Sequence, residues 1–145
     1  MKIRSVGIFE DELKALLSNP HTSTNMKNAV SMAKQILELK KNSSYALYTM
    51  ALHEVCVANR VAPMADYSKA IKNFKHLIKI DPKFIEAYLM LAKVYRETDR
   101  QKEYELLKKA NKVFPENYLI MFDLGNLMCF QTGEKEEGLE LFTKC

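Results

Sequence analysis

Apolar residues recur every three or four positions along most of this chain, with polar residues between them. That spacing predicts amphipathic α-helices, because strands would alternate apolar and polar residues every second position. Capping residues and prolines divide the pattern into eight segments. The predicted helices cover residues 6–18, 25–41, 44–59, 65–80, 84–98, 101–113, 117–131 and 133–145.

Several landmarks along these segments return at a fixed distance. Pro82 and Pro115 are 33 residues apart, and each lies between two helical segments. Ala70 follows Ala29 by 41 residues, as Ala87 follows Ala46. Self-similarity over such distances predicts an array of helical repeats, in which stacked helix pairs bury a continuous core.

From about Thr24 to Cys145 the sequence resembles tetratricopeptide-repeat proteins. The first-helix pattern of a large residue, a leucine, a small residue and an aromatic one is met by Tyr88, Leu91, Ala92 and Tyr95. The second-helix pattern with its closing proline is met by Ala70, Phe74, Leu77 and Pro82. Glu103 stands where the family has a small residue, which weakens the third repeat.

The resemblance implies an all-α fold, a right-handed superhelical array of about four antiparallel helix pairs. The pairs would cover residues 6–41, 43–82, 84–115 and 117–145, within one domain spanning 1–145. Because the sequence stops inside a predicted helix, we expect a fragment of a longer array. Small residues such as Ala92 and Gly125 should lie where helices approach most closely.

The second helix pair has candidate capping residues and is longer than the repeat interval. Ser43 or Ser44 should cap its first helix, and Asp66 could cap a late start of its second. The distance from Ala46 to Ala70 exceeds the repeat interval by roughly seven residues. The extra residues fall around 56–66. They form either a longer helix and turn or a loop beside a binding groove.

Composition supports a helical domain. Apolar residues make up 48% of the chain and charged residues 28%, which suits a globular core. Only 4 Gly and 4 Pro leave little room for a turn-rich β fold. We therefore expect at least about 70% helix and no sheet.

The N-terminus carries no recognisable secretory signal, because Glu10, Asp11 and Glu12 interrupt its apolar residues. No apolar run is long enough to span a membrane, and no membrane partner is expected. The three cysteines are widely spaced, which is typical of reduced thiols. These features favour a cytoplasmic protein.

Catalytic and metal-binding motifs are absent from the sequence. His53 and Cys56 lie three apart on one predicted helical face, but a zinc site needs four ligands and no second pair follows. No phosphate-binding loop or nucleophile motif is present. We expect neither an enzyme nor a cofactor.

The net charge of +4 raises the possibility of a nucleic-acid partner. Lysines crowd the fourth helix and its exit at Lys69, Lys72, Lys75, Lys79 and Lys83. A solvated outer face explains them more simply, so no specific nucleic-acid binding is expected at physiological salt. An acidic patch near residues 134–140 keeps self-association open as an alternative.

In tetratricopeptide repeats the first helix of each pair lines a concave groove that receives a partner peptide. The resemblance assigns to that groove Tyr45, Tyr48, Thr49, Leu52, Glu86, Leu89, Met90, Lys93, Leu119, Phe122, Asp123 and Asn126. Tyr48, Leu89 and Phe122 should line up along it. Many of the set are apolar or aromatic, as at interfaces. The predicted function is a scaffold that binds a protein or peptide through a largely apolar groove; the alternative is that these residues pack in the core.

One variant of the family holds the acidic C-termini of chaperones in a clamp of basic residues and asparagines. The matching positions here carry Tyr48, Leu52, Met90, Leu119 and Asp123. None is basic or an asparagine, and Asp123 would repel a carboxylate. Binding of acidic chaperone tails is therefore not expected.

Overall fold

The structure, a computed structural model, describes residues 6–18, 23–61 and 63–144. These ranges contain eight α-helices, one π-helical turn and no strand. The helices are α1 (Val6–Ser18), α2 (Ser23–Leu39), α3 (Ser44–Asn59), α4 (Ser68–Ile80), α5 (Ile85–Thr98), α6 (Arg100–Val113), α7 (Tyr118–Leu127) and α8 (Lys135–Lys144), with the π turn at Met128–Thr132. The structure is 83% helical, which confirms the all-α prediction.

The chain forms two compact units, Met1–Asp81 and Pro82–Cys145, called here unit 1 and unit 2. Unit 1 contains α1 to α4, and unit 2 contains α5 to α8. The boundary falls between the second and third predicted helix pairs. A continuous single-domain array over all four pairs stays a prediction.

In unit 1, α1 packs against α2 and α3, while α3 packs against both α2 and α4. The centre of the first three helices is small and tightly closed. Its buried residues are Leu13, Ala29, Ala33, Ile36 and Ala46. Alanines at these positions let the helix axes approach closely, as the repeat pattern predicts.

Two serines at the start of α3 connect it to other helices of unit 1. Ser43 is the N-cap residue of α3, as predicted, but its side chain makes no hydrogen bond that caps the helix. Instead, the Ser43 hydroxyl donates to the Glu10 carboxylate, and Ser44 donates to Asp81. The bond from Ser43, assisted by Lys40, lowers the pKa of Glu10 although burial acts in the opposite direction.

The predicted extra residues lie mainly in the connection between α3 and α4. This connection runs from Arg60 to Tyr67, whereas Asp99 alone separates α5 from α6. The Tyr67 hydroxyl donates to the Asn59 side chain, and Asp66 accepts from the Ser68 backbone. Asp66 therefore forms a polar turn before the helix. The prediction that Asp66 caps α4 is wrong, because Tyr67 is the N-cap residue and no side chain caps the helix.

In unit 2, neighbouring helices pack in chain order, from α5 on α6 to α7 on α8. The crossing of α7 and α8 depends on two glycines. A Cβ on Gly125 would lie 3.1 Å from the Gly138 carbonyl oxygen, and one on Gly138 would lie 2.6 Å from Cys129 Sγ. Gly125 therefore lies at a close helix contact, as predicted, and Ala92 of α5 is fully buried.

None of the helices in the described ranges combines the length and the apolarity that crossing a membrane requires.

Candidate functional site

The most exposed apolar face of unit 2 follows α7 and the π turn. Leu119, Phe122 and Phe130 are 42%, 52% and 80% exposed. The Phe122 ring makes an edge contact with Phe142 of α8, with 5.7 Å between the centroids. This contact fixes one side of Phe122 and leaves the other open to solvent.

Phe130 lies within the π turn. Leu127, Met128 and Cys129 are three consecutive buried residues, which regular α-helical spacing on a single packed face would not give. The wider turn admits one more residue per turn and changes the direction of those that follow. It ends at Gly133, whose φ of 79° is left-handed and suits glycine. Phe130 was absent from the predicted groove residues, although it follows Asn126 by four positions.

An ion-pair network lies beside this face. The Glu103 carboxylate is fully buried and accepts from Arg96 Nε and Arg100 Nη1, each at 2.9 Å. Arg96 Nη2 also lies 3.1 Å from an Asp123 carboxylate oxygen. Burial opposes the charge of Arg96, but its bond to Glu103 and its attraction to Asp123 outweigh burial and raise its pKa.

The network and the aromatic residues border one cleft of about 320 Å³. Its lining residues are Arg96, Arg100, Glu103, Phe122, Asp123, Asn126, Leu127, Phe130 and Gln131. The two arginines and two carboxylates balance in formal charge. The amides of Asn126 and Gln131 offer both donors and acceptors, as a peptide backbone does. The cleft can therefore receive an apolar side chain together with the polar backbone that carries it.

The structure also shows why Glu103 is tolerated where a small residue was expected. Two guanidinium groups compensate its buried charge, so no carboxylate oxygen lacks a donor. Arg96, Arg100 and Glu103 were all missed as site residues. The spacing of Arg100 and Glu103, three apart on one helix, was the available signal.

Asp123 lies beside basic groups of neighbouring helices. Guanidinium groups do line this cleft, but they come from α5 and α6 rather than from α7. Asp123 pairs with Arg96 and so occupies a position that an incoming carboxylate would need.

The predicted groove residues of unit 1 are less accessible. Thr49 is fully buried, and its hydroxyl donates to the Tyr45 carbonyl, so its assignment to a partner surface is wrong. Tyr45 packs against the core of α1 to α3, with Lys14 Nζ 4.6 Å from its ring centroid. Tyr48 is half-buried, 6.1 Å from the Phe74 ring, and Leu52 is also half-buried.

Most of the predicted groove residues on α5, and Asn126 on α7, are partly exposed to solvent. Glu86, Leu89 and Met90 are half-buried, and Lys93 is exposed. Asn126, like Asp123, is half-buried and lines the cleft.

A second cleft of unit 2, about 390 Å³, lies among α6, α7 and α8. Its charged lining residues are of both signs, at Lys108, Lys112, Glu137, Glu140 and Lys144. Its apolar residues are aliphatic and mostly covered. It is therefore a weaker candidate for recognition than the aromatic cleft.

In the part of the chain that the structure describes, no group of three or more His, Cys, Asp or Glu side chains could hold a metal ion. His53 and Cys56 are half-buried on α3. His21 and Cys145 lie outside the described residues.

No family model and no curated protein matches the sequence. Among solved structures, the MamA RS-1 ArsTM double mutant gives a TM-score of 0.65 at 18% identity, covering 96% of this chain and 72% of its own. A crystal structure of MamA protein gives 0.65 at 19%, covering 97% and 70%. Another of MamA gives 0.61 at 20%, covering 99% and 92%. These similarities confirm a tetratricopeptide-like all-α fold.

Proposed function

We propose that the chain is a non-catalytic protein-binding scaffold whose contact surface in unit 2 is the aromatic cleft of α7 and the π turn. The observation that carries this proposal is the exposure of Phe122 and Phe130 at the edges of a cleft with a charge-balanced floor. Exposed aromatic residues beside a concavity are typical of protein interfaces.

The chemistry of the cleft favours a peptide segment with an apolar side chain. Phe122 and Phe130 would contact that side chain, while Asn126 and Gln131 would bond its backbone. A carboxylate in the same place would meet Asp123, which repels it. Acidic peptide tails are therefore not expected to bind in this cleft.

The proposal includes a cytoplasmic location. Cys56 and Cys129 are free thiols in the structure, which supports a reducing compartment.

The test is a selection of peptides from a random phage-displayed library on the purified protein. Phe122→Ala and Phe130→Ala should each weaken the selected peptides by about tenfold or more, as expected for aromatic anchors. Leu139→Ala is the matched control, because Leu139 is an exposed apolar residue of α8 outside the cleft. Equal binding by all three variants, or failure to select any peptide, would reject this surface.

A further inference from the structure

An apolar ridge follows the end of α3 in unit 1. Val57, Val61 and Met64 are 42%, 61% and 87% exposed. Two backbone bonds of turn type follow Asn59, since Val61 N–H donates to the Ala58 carbonyl and Met64 N–H donates to the Val61 carbonyl. The three side chains are four and three residues apart in the sequence. We call them the ridge.

A basic face lies on α4, the helix that this connection enters. Its packed side is formed by Ala70, Phe74, Leu77 and Ile78. The opposite side presents four exposed lysines, Lys69, Lys72, Lys75 and Lys79. Their spacing of three, three and four residues keeps them within one face. The nearby carboxylates of Asp66 and Asp81 accept hydrogen bonds from Ser68 and Ser44.

We propose that the ridge and the basic face together attach the protein to the surface of an anionic lipid bilayer. The lysines would lie among negatively charged headgroups, and Val61 and Met64 would enter the boundary with the acyl chains. This attachment needs no spanning helix. It is independent of the peptide cleft in unit 2, since it uses none of its residues.

The composition of the surface favours lipid over nucleic acid. Proteins that bind single-stranded nucleic acid combine cations with aromatic rings on which bases stack. The ridge instead offers aliphatic side chains, which have no preferred contact on a phosphate backbone but are stabilised in hydrocarbon. Stable surface attachment generally takes both a basic and an apolar contribution, and unit 1 supplies the two in adjoining segments.

The experiment is co-sedimentation with vesicles at about 0.1 M salt, where attraction acts over about 10 Å. Vesicles of phosphatidylcholine alone are compared with vesicles containing about one-third phosphatidylserine. We expect the protein to sediment with the second set and not with the first. Lys72→Glu with Lys79→Glu should weaken this binding by at least about tenfold. Val61→Ser with Met64→Ser should also weaken it while leaving all lysines in place.

The matched control is Lys27→Glu with Lys34→Glu, which changes two exposed lysines of α2 and alters net charge by the same amount. Circular dichroism checks that every variant folds. Equal losses in the two lysine pairs would show a general charge effect and reject the proposal. Equal sedimentation with neutral vesicles, or none with either set, would reject it as well.

Two further results would assign the surface to another partner and so overturn the proposal. One is tighter binding to a labelled random DNA duplex than to the anionic vesicles, lost with the α4 variant. The other is a change in the protein's own oligomeric state with that variant in gel filtration without lipid.

Discussion

The first-helix faces of α3 and α7 have equivalent places in their helix pairs but differ in what covers them. On α3, Thr49 is buried and Tyr45 packs against the core that α1 closes. On α7, Leu119 and Phe122 remain exposed beside a cleft. Equivalent spacing along a helix therefore produces packing in unit 1 and an open surface in unit 2.

The two faces also differ in what supports them. On α3, small buried residues such as Ala46 and Ala51 let neighbouring helices pack closely against it. An ion-pair network lies beside α7, and the π turn beyond it exposes Phe130. The open face in unit 2 thus lies beside buried charge, and the α3 face depends on close packing. Each difference can be tested by substitution.

The largest effect is expected when the buried carboxylate loses its partners. Arg96→Ala with Arg100→Ala should cost about 3–5 kcal/mol of unfolding free energy, because Glu103 would remain buried without a compensating charge. Urea denaturation measures the loss.

The control for this change is the triple variant that also carries Glu103→Ala. It removes the uncompensated charge and restores the small residue typical of the repeat, so it should be more stable than the double variant. If the double and triple variants are equally stable, Glu103 is not the cause of the loss.

The second prediction removes part of the cover over α3. Leu13→Ala truncates a fully buried residue of α1 and should cost about 2–5 kcal/mol. If α1 keeps the α3 face closed, the Tyr45 region should also become accessible in hydrogen exchange. Ala15→Gly is the control, because it changes an exposed residue of the same helix. It should lower the unfolding free energy by about 1 kcal/mol through weaker helix propensity alone. Unchanged protection in α3 would contradict this role of α1.

The third prediction compares one aromatic residue from each face. Tyr48→Ala should cost about 2 kcal/mol, since a half-buried ring is lost from its contact with Phe74. Phe122→Ala should cost about 1 kcal/mol or less, mainly its edge contact with Phe142. Peptide binding should show the reverse order. A greater loss of stability for the Phe122 variant would remove the distinction between the two faces.

The last prediction concerns the hydrogen bond between α1 and the start of α3. The pKa of Glu10 is lowered in the folded state, so its contribution is present above the ordinary carboxyl pKa and lost as pH falls through the folded value. Ser43→Ala should therefore cost about 1–2 kcal/mol at neutral pH and much less in acid. Denaturation of both proteins across this pH range measures the difference. A cost that does not change with pH would mean that the bond does not depend on the Glu10 charge.

Positions repeated along the chain were predicted well. Ala70, Ala92 and Gly125 were assigned to helix contacts from the sequence, and all three are buried. Small residues carry this information because their size limits how closely two backbones approach. The capping bonds at helix starts were predicted less well. Ser43 occupies the N-cap position of α3, but its hydroxyl donates to Glu10 of α1 and not to the helix backbone.

The site was predicted only in part. Leu119 and Phe122 were assigned to a partner surface and are exposed, and Asp123 and Asn126 line the same cleft. Phe130 was missed although it follows Asn126 by four residues and Leu119 by eleven, a spacing that continues the same helical face. The network around Glu103 was missed because Arg96 reaches it from another helix.

The sequence by itself determined the helices, their repeat and the small residues at their contacts, because these follow from local periodicity and from residue volume. Tertiary structure alone decided which outward faces stay open. Whether Thr49 or Phe122 meets solvent depends on the helices packed beside them, and the charge of Glu103 is tolerated because Arg96 of another helix reaches it. Such pairings join residues that local patterning does not connect.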